Sequence, residues 1–249
     1  MPEFERRIRA QYPDVFRAPT GLPPARKDDG FQIRTIPGAD LPHRSPYRLT
    51  PDEWEAHKEK TQALFSKRLI RKSNSPYAAL LILLPQGFDN EGKPKMRMCI
   101  DYRALNNITV KNRFPLPHPQ VLITKCHGMD RFTKLDFWSD FHQHRCHRDT
   151  IEKTALISPD ALYEWLVKPV GAANAPSKFM RLMADVLIEH TDKRYCMVFN
   201  DDILIYPRST TTMNAMSRQL CTQFAGPAFA SMDQRAPSAG HRLHSLVSM

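Results

Sequence analysis

The stretch Tyr195-Cys196-Met197-Val198-Phe199-Asn200-Asp201-Asp202-Ile203-Leu204-Ile205-Tyr206 decides how this chain is read. An apolar run, a polar turn and a second apolar run predict two short strands joined in a tight β-hairpin. Asp201 and Asp202 then stand together at its tip, where adjacent carboxylates repel each other and add nothing to a core. A solvated Asn-Asp-Asp turn is one account of them, and a bound cation is the other. A third carboxylate bears on the choice. Asp136 closes another apolar run, Phe132-Thr133-Lys134-Leu135, so that three carboxylates converge from two strand ends if those strands are neighbours. Such hard oxygen donors suit Mg²⁺ bridging substrate phosphates. Two ions about 4 Å apart would activate an attacking hydroxyl and steady a leaving pyrophosphate.

Working outward, Pro176 to His190 places Phe179, Leu182, Met183, Val186 and Leu187 at helical spacing, which predicts an amphipathic helix. Ala155 to Ile157 and Leu162 to Val167 read as strands. Farther upstream, Ala78 to Leu84 and Met96 to Ile100 flank the turn-rich Pro85 to Lys95, which predicts a hairpin with a long polar tip. Thr50-Pro51-Asp52-Glu53 has the form of a capping box with proline at the first helical position. The helix it starts is expected to run to about Leu69, with Trp54, Thr61, Leu64 and Phe65 toward the core.

The ends differ from this middle. Eight of the 21 prolines fall in the first 46 residues, which are read as an extended arm, residues 1–46. Residues 47–208 are read as the folded domain. After Arg208 the chain turns to Ser, Thr, Ala, Met and Gln with Asp233 as its one acidic residue, and residues 209–249 are expected to hold little packed structure.

Composition bounds the possibilities. With 249 residues and 41% hydrophobic content the chain can bury a real core, which excludes a wholly disordered protein. The longest apolar run, Ala78 to Leu84, falls far short of the roughly 20 residues of a membrane-spanning helix. The charged start Met1 to Arg7 lacks the apolar core of a signal peptide, so an intracellular, membrane-free setting is expected. Five cysteines, an odd number without a Cys-x-x-Cys pair, fit reduced thiols. A net charge of +10 favours polyanionic partners, nucleic acid first among them.

These residues, together with Tyr12-Pro13-Asp14-Val15-Phe16, Gly21-Leu22-Pro23-Pro24, Pro46-Tyr47-Arg48-Leu49, Ser73-Asn74-Ser75-Pro76-Tyr77-Ala78, Arg97-Met98-Cys99-Ile100-Asp101-Tyr102-Arg103-Ala104-Leu105-Asn106 and Asn112-Arg113-Phe114-Pro115-Leu116-Pro117, carry a collinear resemblance from about Asp14 to Tyr206. The chain resembles the reverse transcriptase of Gypsy-type long-terminal-repeat retrotransposons. The resemblance implies an α/β (α+β) fingers and palm of a right-hand polymerase, with an antiparallel palm sheet, packed helices and no thumb. It implies RNA-directed DNA polymerase activity on an RNA or DNA template with a primer and deoxynucleoside triphosphates. Asp136, Asp201 and Asp202 would be the catalytic triad holding two Mg²⁺ (or Mn²⁺), with the Phe137 carbonyl as a further metal ligand. Arg97, with Lys95 nearby, would contact the incoming triphosphate, since a guanidinium grips phosphate oxygens in bidentate fashion. Phe141 would be the aromatic gate against a 2′-hydroxyl, and Val170 and Gly171 would belong to the loop under template and nucleotide.

The departures from the family pattern bear on activity. Asp140 stands where glycine is usual and puts an extra carboxylate near the nucleotide site. Phe199 and Asn200 replace the customary residues before the aspartates. Lys93 and Lys95 are the nearest substitutes for a lysine-rich fingers tip, and Val170 stands where phenylalanine is usual. Past Arg208 no resemblance is seen to a thumb, connection, RNase H or integrase region. A non-catalytic nucleic-acid-binding relic is therefore the alternative reading. A competing constellation is His142-Gln143-His144-Arg145-Cys146-His147, which on a strand would set His142, His144 and Cys146 on one face as zinc ligands.

Overall fold

The computed structural model describes residues 3–17, 19–25, 30–88, 92–115, 118–129, 132–137, 140–192, 195–199, 202–206, 210–224 and 232–235. The helices, in chain order, are α1 (Glu3–Gln11), α2 (Pro51–Ser66), α3 (Arg103–Ile108), α4 (Pro119–Lys125), α5 (Arg148–Ile151), α6 (Ala175–Val186), α7 (Ile188–Asp192) and α8 (Thr210–Phe224). The strands are β1 (Ile70–Lys72), β2 (Ala79–Phe88), β3 (Pro94–Asp101), β4 (Thr133–Phe137), β5 (Leu156–Ile157), β6 (Leu162–Trp165), β7 (Cys196–Phe199), β8 (Asp202–Ile205) and β9 (Met232–Arg235). The chain divides into two compact units, residues 20–112 with 141–175, and residues 1–19 with 113–140 and 176–249. The region expected over 47–208 to hold fingers and palm falls across both units, each made of pieces distant in sequence.

The first unit is built on a five-stranded sheet of order β1-β6-β5-β2-β3. β2 and β3 form the expected antiparallel hairpin, pairing Leu80 with Asp101 through Pro85 with Met96. The strands reach farther than foreseen, because Gln86 to Phe88 continue β2 past a register shift instead of joining the polar tip. Alternation along β2 buries Ala79, Leu81 and Leu83; Leu81 and Leu83 pack with Ile70, Leu156, Trp165 and Val167, and Ala79 joins a separate cluster with Phe31 and Tyr102. α2 begins with the capping box foreseen: Thr50 Oγ1 accepts from the Glu53 amide, and Glu53 accepts from the Thr50 amide. It ends at Ser66, and its buried line is His57 and Thr61, joined by a 3.1 Å hydrogen bond. Phe65, expected inward, is 48% exposed: each step of four residues drifts about 40° around a helix, so by Phe65 the line through His57 and Thr61 has moved to the rim of the buried stripe.

Residues 20–25 and 30–46 form no helix but are not a free arm. Phe31 and Ile33 are buried in this unit, and single bridges tie Phe31 to Cys146, Thr35 to Thr109 and His43 to Ala78. Gly30, at φ +74°, lets the chain turn into that contact: a Cβ there would sit 2.9 Å from the Arg145 carbonyl oxygen, closer than side chains tolerate.

The second unit is a four-stranded antiparallel sheet of order β7-β8-β4-β9. Leu135, Ile203 and Ile205 are fully buried beneath it, packed with Phe179, Met183 and Leu187 of the predicted amphipathic helix, which is realised as α6 and the following turn. Two expectations are corrected here. The proline-rich start holds α1, which fits between Pro2 and Pro13 where no proline interrupts it, and Ile8 is buried. The stretch after Arg208 holds α8, with Leu220 and Phe224 buried in the same core. Its apolar residues Met213, Met216, Leu220 and Phe224 recur at helical spacing, a pattern the surrounding small polar residues conceal. Among the described residues no helix is long and apolar enough to cross a membrane.

Candidate active site

The carboxylates are positioned by the same alternation that builds the palm-like core. Within β4 and β8, Leu135, Ile203 and Ile205 point inward, so the intervening positions fall on the opposite face of the sheet. Register makes Asp136 and Asp202 direct cross-strand partners, with Lys134 opposite Leu204. Paired positions in an antiparallel ladder bring Cβ atoms to about 5 Å, close enough for two carboxylates to share a cation and close enough to repel without one. Asp202 belongs to β8, pairing with Phe199, and not to the turn where the apolar-polar-apolar pattern put it. Asp201 lies outside the described residues. Asp136 and Phe137 are described as backbone in β4.

Two features of this site were not foreseen. Lys134 Nζ lies 2.9 Å from Asp202 Oδ2, so the carboxylate carries a cationic partner from the strand beside it. On its other edge β4 pairs with β9, in a register that sets Asp233 against Asp136. Strand alternation could have pointed to Lys134, two residues before Asp136. Nothing in the sequence signals the β9 register.

The remaining site residues belong to the first unit. Arg97 and Lys95 lie exposed on β3, and Arg97 stands opposite Leu84 of β2. At the end of the same strand Asp101 receives two charge-assisted bonds from Arg103, Nε to Oδ1 at 2.8 Å and Nη2 to Oδ2 at 2.7 Å. That guanidinium holds the Asp101 carboxyl down at about 2. Between them Tyr102 is buried and donates to the Thr154 carbonyl at 2.7 Å, anchoring the strand end. Val170 is 48% exposed, and Gly171 adopts φ +94°, a conformation that favours glycine. Asn106 clamps this loop, donating to the Gly171 carbonyl and accepting from the Ala173 amide, both at 2.8 Å. Phe141 and Asp140 lie in a 3₁₀ turn, Asp140–Gln143, described there as backbone.

The histidine and cysteine cluster is not brought together as zinc ligands on one strand face. His142 sits in that 3₁₀ turn rather than on a strand, its ring stacked on Trp165 at 5.2 Å between centroids. Burial, with Lys168 and Lys67 adding to it, pushes His142 down to about 4. Burial also pushes the Cys146 thiol up, away from the thiolate that zinc needs. Among the described residues no three His, Cys, Asp or Glu side chains group as metal ligands. Asp201 and the Asp136 side chain lie outside that set.

Residues 86–226 match the family described as reverse transcriptase (RNA-dependent DNA polymerase), a span running past Arg208 through all of α8. The chain is 37% identical over 174 residues to the retrovirus-related Pol polyprotein from transposon 297 of Drosophila melanogaster, covering 68% of this chain and 16% of that protein. It is 34% identical over 149 residues to the corresponding polyprotein from transposon opus of the same fly, covering 60% of this chain and 15% of the relative. A third relative, the enzymatic polyprotein of cauliflower mosaic virus (strain NY8153), is 30% identical over 161 residues, covering 65% of this chain and 23% of that protein. The chain thus spans under a quarter of the length of these relatives. Among solved structures, the foamy viral protease-reverse transcriptase in complex with an RNA/DNA hybrid superposes with a TM-score of 0.75 at 16% identity, over 90% of this chain and 30% of that one. The foamy viral protease-reverse transcriptase dRH in complex with double-stranded DNA gives 0.77 at 17% identity, over 96% of this chain and 42% of that one. The fold is therefore that of the fingers and palm of these polymerases.

Proposed function

The chain belongs to the reverse transcriptase family, and from that premise we propose that it is the fingers-palm portion of an RNA-directed DNA polymerase of the Gypsy type, extending a primer 3′ end with deoxynucleotides. The observation that carries this reading is the cross-strand pairing of Asp136 with Asp202 at the end of an antiparallel sheet whose other face is core. Asp201 immediately precedes the pair in sequence. Carboxylate oxygens from neighbouring strands are the donor set that a hard divalent cation takes, and Asp202 already draws a cation to itself in Lys134. These residues suit Mg²⁺, which Asp136, Asp201 and Asp202 would hold together with the Phe137 carbonyl. Two such ions would supply charge neutralisation for the attacking 3′-oxygen and the departing pyrophosphate.

The protein's own residues have simpler tasks. Arg97 and Lys95 meet the triphosphate with charge, Arg97 through a planar fork that matches phosphate geometry. The Asn106 clamp holds Gly171 and its neighbours where template and nucleotide rest. Phe141 would be the gate against a 2′-hydroxyl, as the family resemblance implies, and exclusion of ribonucleotides would then be steric. Binding of template and primer draws on the +10 charge through phosphate contacts and is sensitive to salt.

Primer extension on poly(rA) primed with oligo(dT) tests the reading. Wild type extends in Mg²⁺ or Mn²⁺, and Asp202→Asn lowers the rate by about a hundredfold or more, as loss of several kcal/mol of metal-borne stabilisation requires. Salt-sensitive binding of the hybrid without extension by the wild type would favour the non-catalytic relic instead.

A further inference from the structure

Two strand positions that oppose each other with like charge destabilise a ladder, and Asp136 with Asp202 is such a pair. A protein that must fold before it meets a divalent ion needs some other cation there. Lys134 occupies that place: it lies two residues before Asp136 on β4, on the same face, and its ammonium reaches diagonally to Asp202 Oδ2 at 2.9 Å. We propose that Lys134 is a resident counter-cation of the carboxylate pair, holding Asp202 in the metal-free protein and giving way when a divalent ion enters. This rests on the metal-site reading above.

Three observations support exchange over a permanent bond. The Lys134 side chain is 37% exposed, so its ammonium has water to move into. Lysine is a point charge on four methylenes and keeps no fixed fork geometry, so release breaks no bidentate contact. Its register partner is Leu204, an apolar neighbour for those methylenes in either position. Lys134 is a positioning residue on this account. It keeps Asp202 beside Asp136 until metal arrives, and it competes with the metal for the same oxygen.

The consequence runs opposite to ordinary damage. Removing the ammonium leaves the metal-free hairpin less stable yet makes the site bind divalent ions more tightly, because the competitor is gone. The test is Mn²⁺ titration followed by electron paramagnetic resonance of the free ion, together with melting in EDTA and in saturating Mn²⁺. The proteins are wild type, Lys134→Met, Lys134→Gln, Lys134→Arg and Asp202→Asn. Expected are about fivefold or tighter Mn²⁺ binding by the Met and Gln variants, as removal of one nearby positive charge implies, a lower Tm than wild type in EDTA, and a larger gain in Tm on adding Mn²⁺. Lys134→Arg should keep the lower, wild-type Mn²⁺ affinity. Equal or weaker Mn²⁺ binding by both neutral variants, with the wild type binding normally, overturns the proposal and leaves the metal site standing. If the wild type binds no more Mn²⁺ than Asp202→Asn does, the metal-site reading falls and the proposal with it.

Discussion

Two hairpins carry the candidate chemistry, and they carry it on opposite terms. β7 and β8 hold Asp202 on a strand whose alternate residues, Ile203 and Ile205, are fully buried. β2 and β3 hold Arg97 and Lys95 on a stretch where Leu84 and Phe88 are exposed, Phe88 at 74%. In the first, the residues that place the functional group are the core. In the second, the functional groups project from a ladder that little else covers. A carboxylate that must meet a second carboxylate within an ångström or so needs the stiffness of close packing. Cations that meet a mobile polyanionic tail through long side chains do not.

The largest expected contrast comes from truncating the buried and exposed apolar residues of the two regions. Leu135→Ala or Ile203→Ala should cost about 3 kcal/mol or more in urea unfolding, the usual range for fully buried sites that cannot collapse. Leu84→Ala should cost under about 1 kcal/mol. Similar losses would erase the distinction between the hairpins.

A second effect belongs to the unit that holds β2 and β3. His142 is held neutral down to about 4 by burial and by Lys168 and Lys67, whereas in the unfolded chain it protonates near its ordinary value of 6.5. The unfolded state therefore takes up the proton first as pH falls, and stability is lost between about pH 6.5 and 4, by up to roughly 3 kcal/mol. Hydrogen exchange of the β6 amides should accelerate through that window, and His142→Phe should remove most of the acceleration. An unchanged pH profile in the variant would mean that other groups set the acid limit.

A smaller loss, about 1 kcal/mol, is expected for Thr50→Ala, which removes the side-chain half of the α2 capping box. Smallest in stability is Arg97→Ala, within about 0.5 kcal/mol because the side chain is exposed. Its cost should fall on substrate, with KM for deoxynucleotides raised about tenfold and kcat changed less. If Arg97→Ala unfolds the protein instead, the exposed hairpin is structural and the comparison fails on its second side.

Legibility followed the same division. The strands around Asp136 and Asp202, the α2 cap and the α6 spacing could be read directly because short-range alternation, capping and helical period are local properties of the chain. What escaped were the consequences of long-range pairing. Alternation sets Lys134 on the face of Asp136, but nothing local says that Asp202 would be drawn into β8 within its reach, or that β9 would run beside β4. Proline counting hid α1 because the count was taken over 46 residues and the helix needs only nine. α8 was missed because its threonines, serine, asparagine and glutamines dilute a real helical period. The histidine cluster misled for the opposite reason: its spacing invited a strand, and packing against Trp165 made a 3₁₀ turn.

The central claim is that Asp136 and Asp202 converge to hold divalent metal. Anomalous scattering from crystals of the chain grown with Mn²⁺ tests it most directly. The account predicts a peak about 2.1–2.2 Å from carboxylate oxygens of both Asp136 and Asp202, near the distances hard cations take, and its loss in Asp202→Asn. Mn²⁺ bound elsewhere, with Lys134 still on Asp202 and no peak between the two strands, would contradict it.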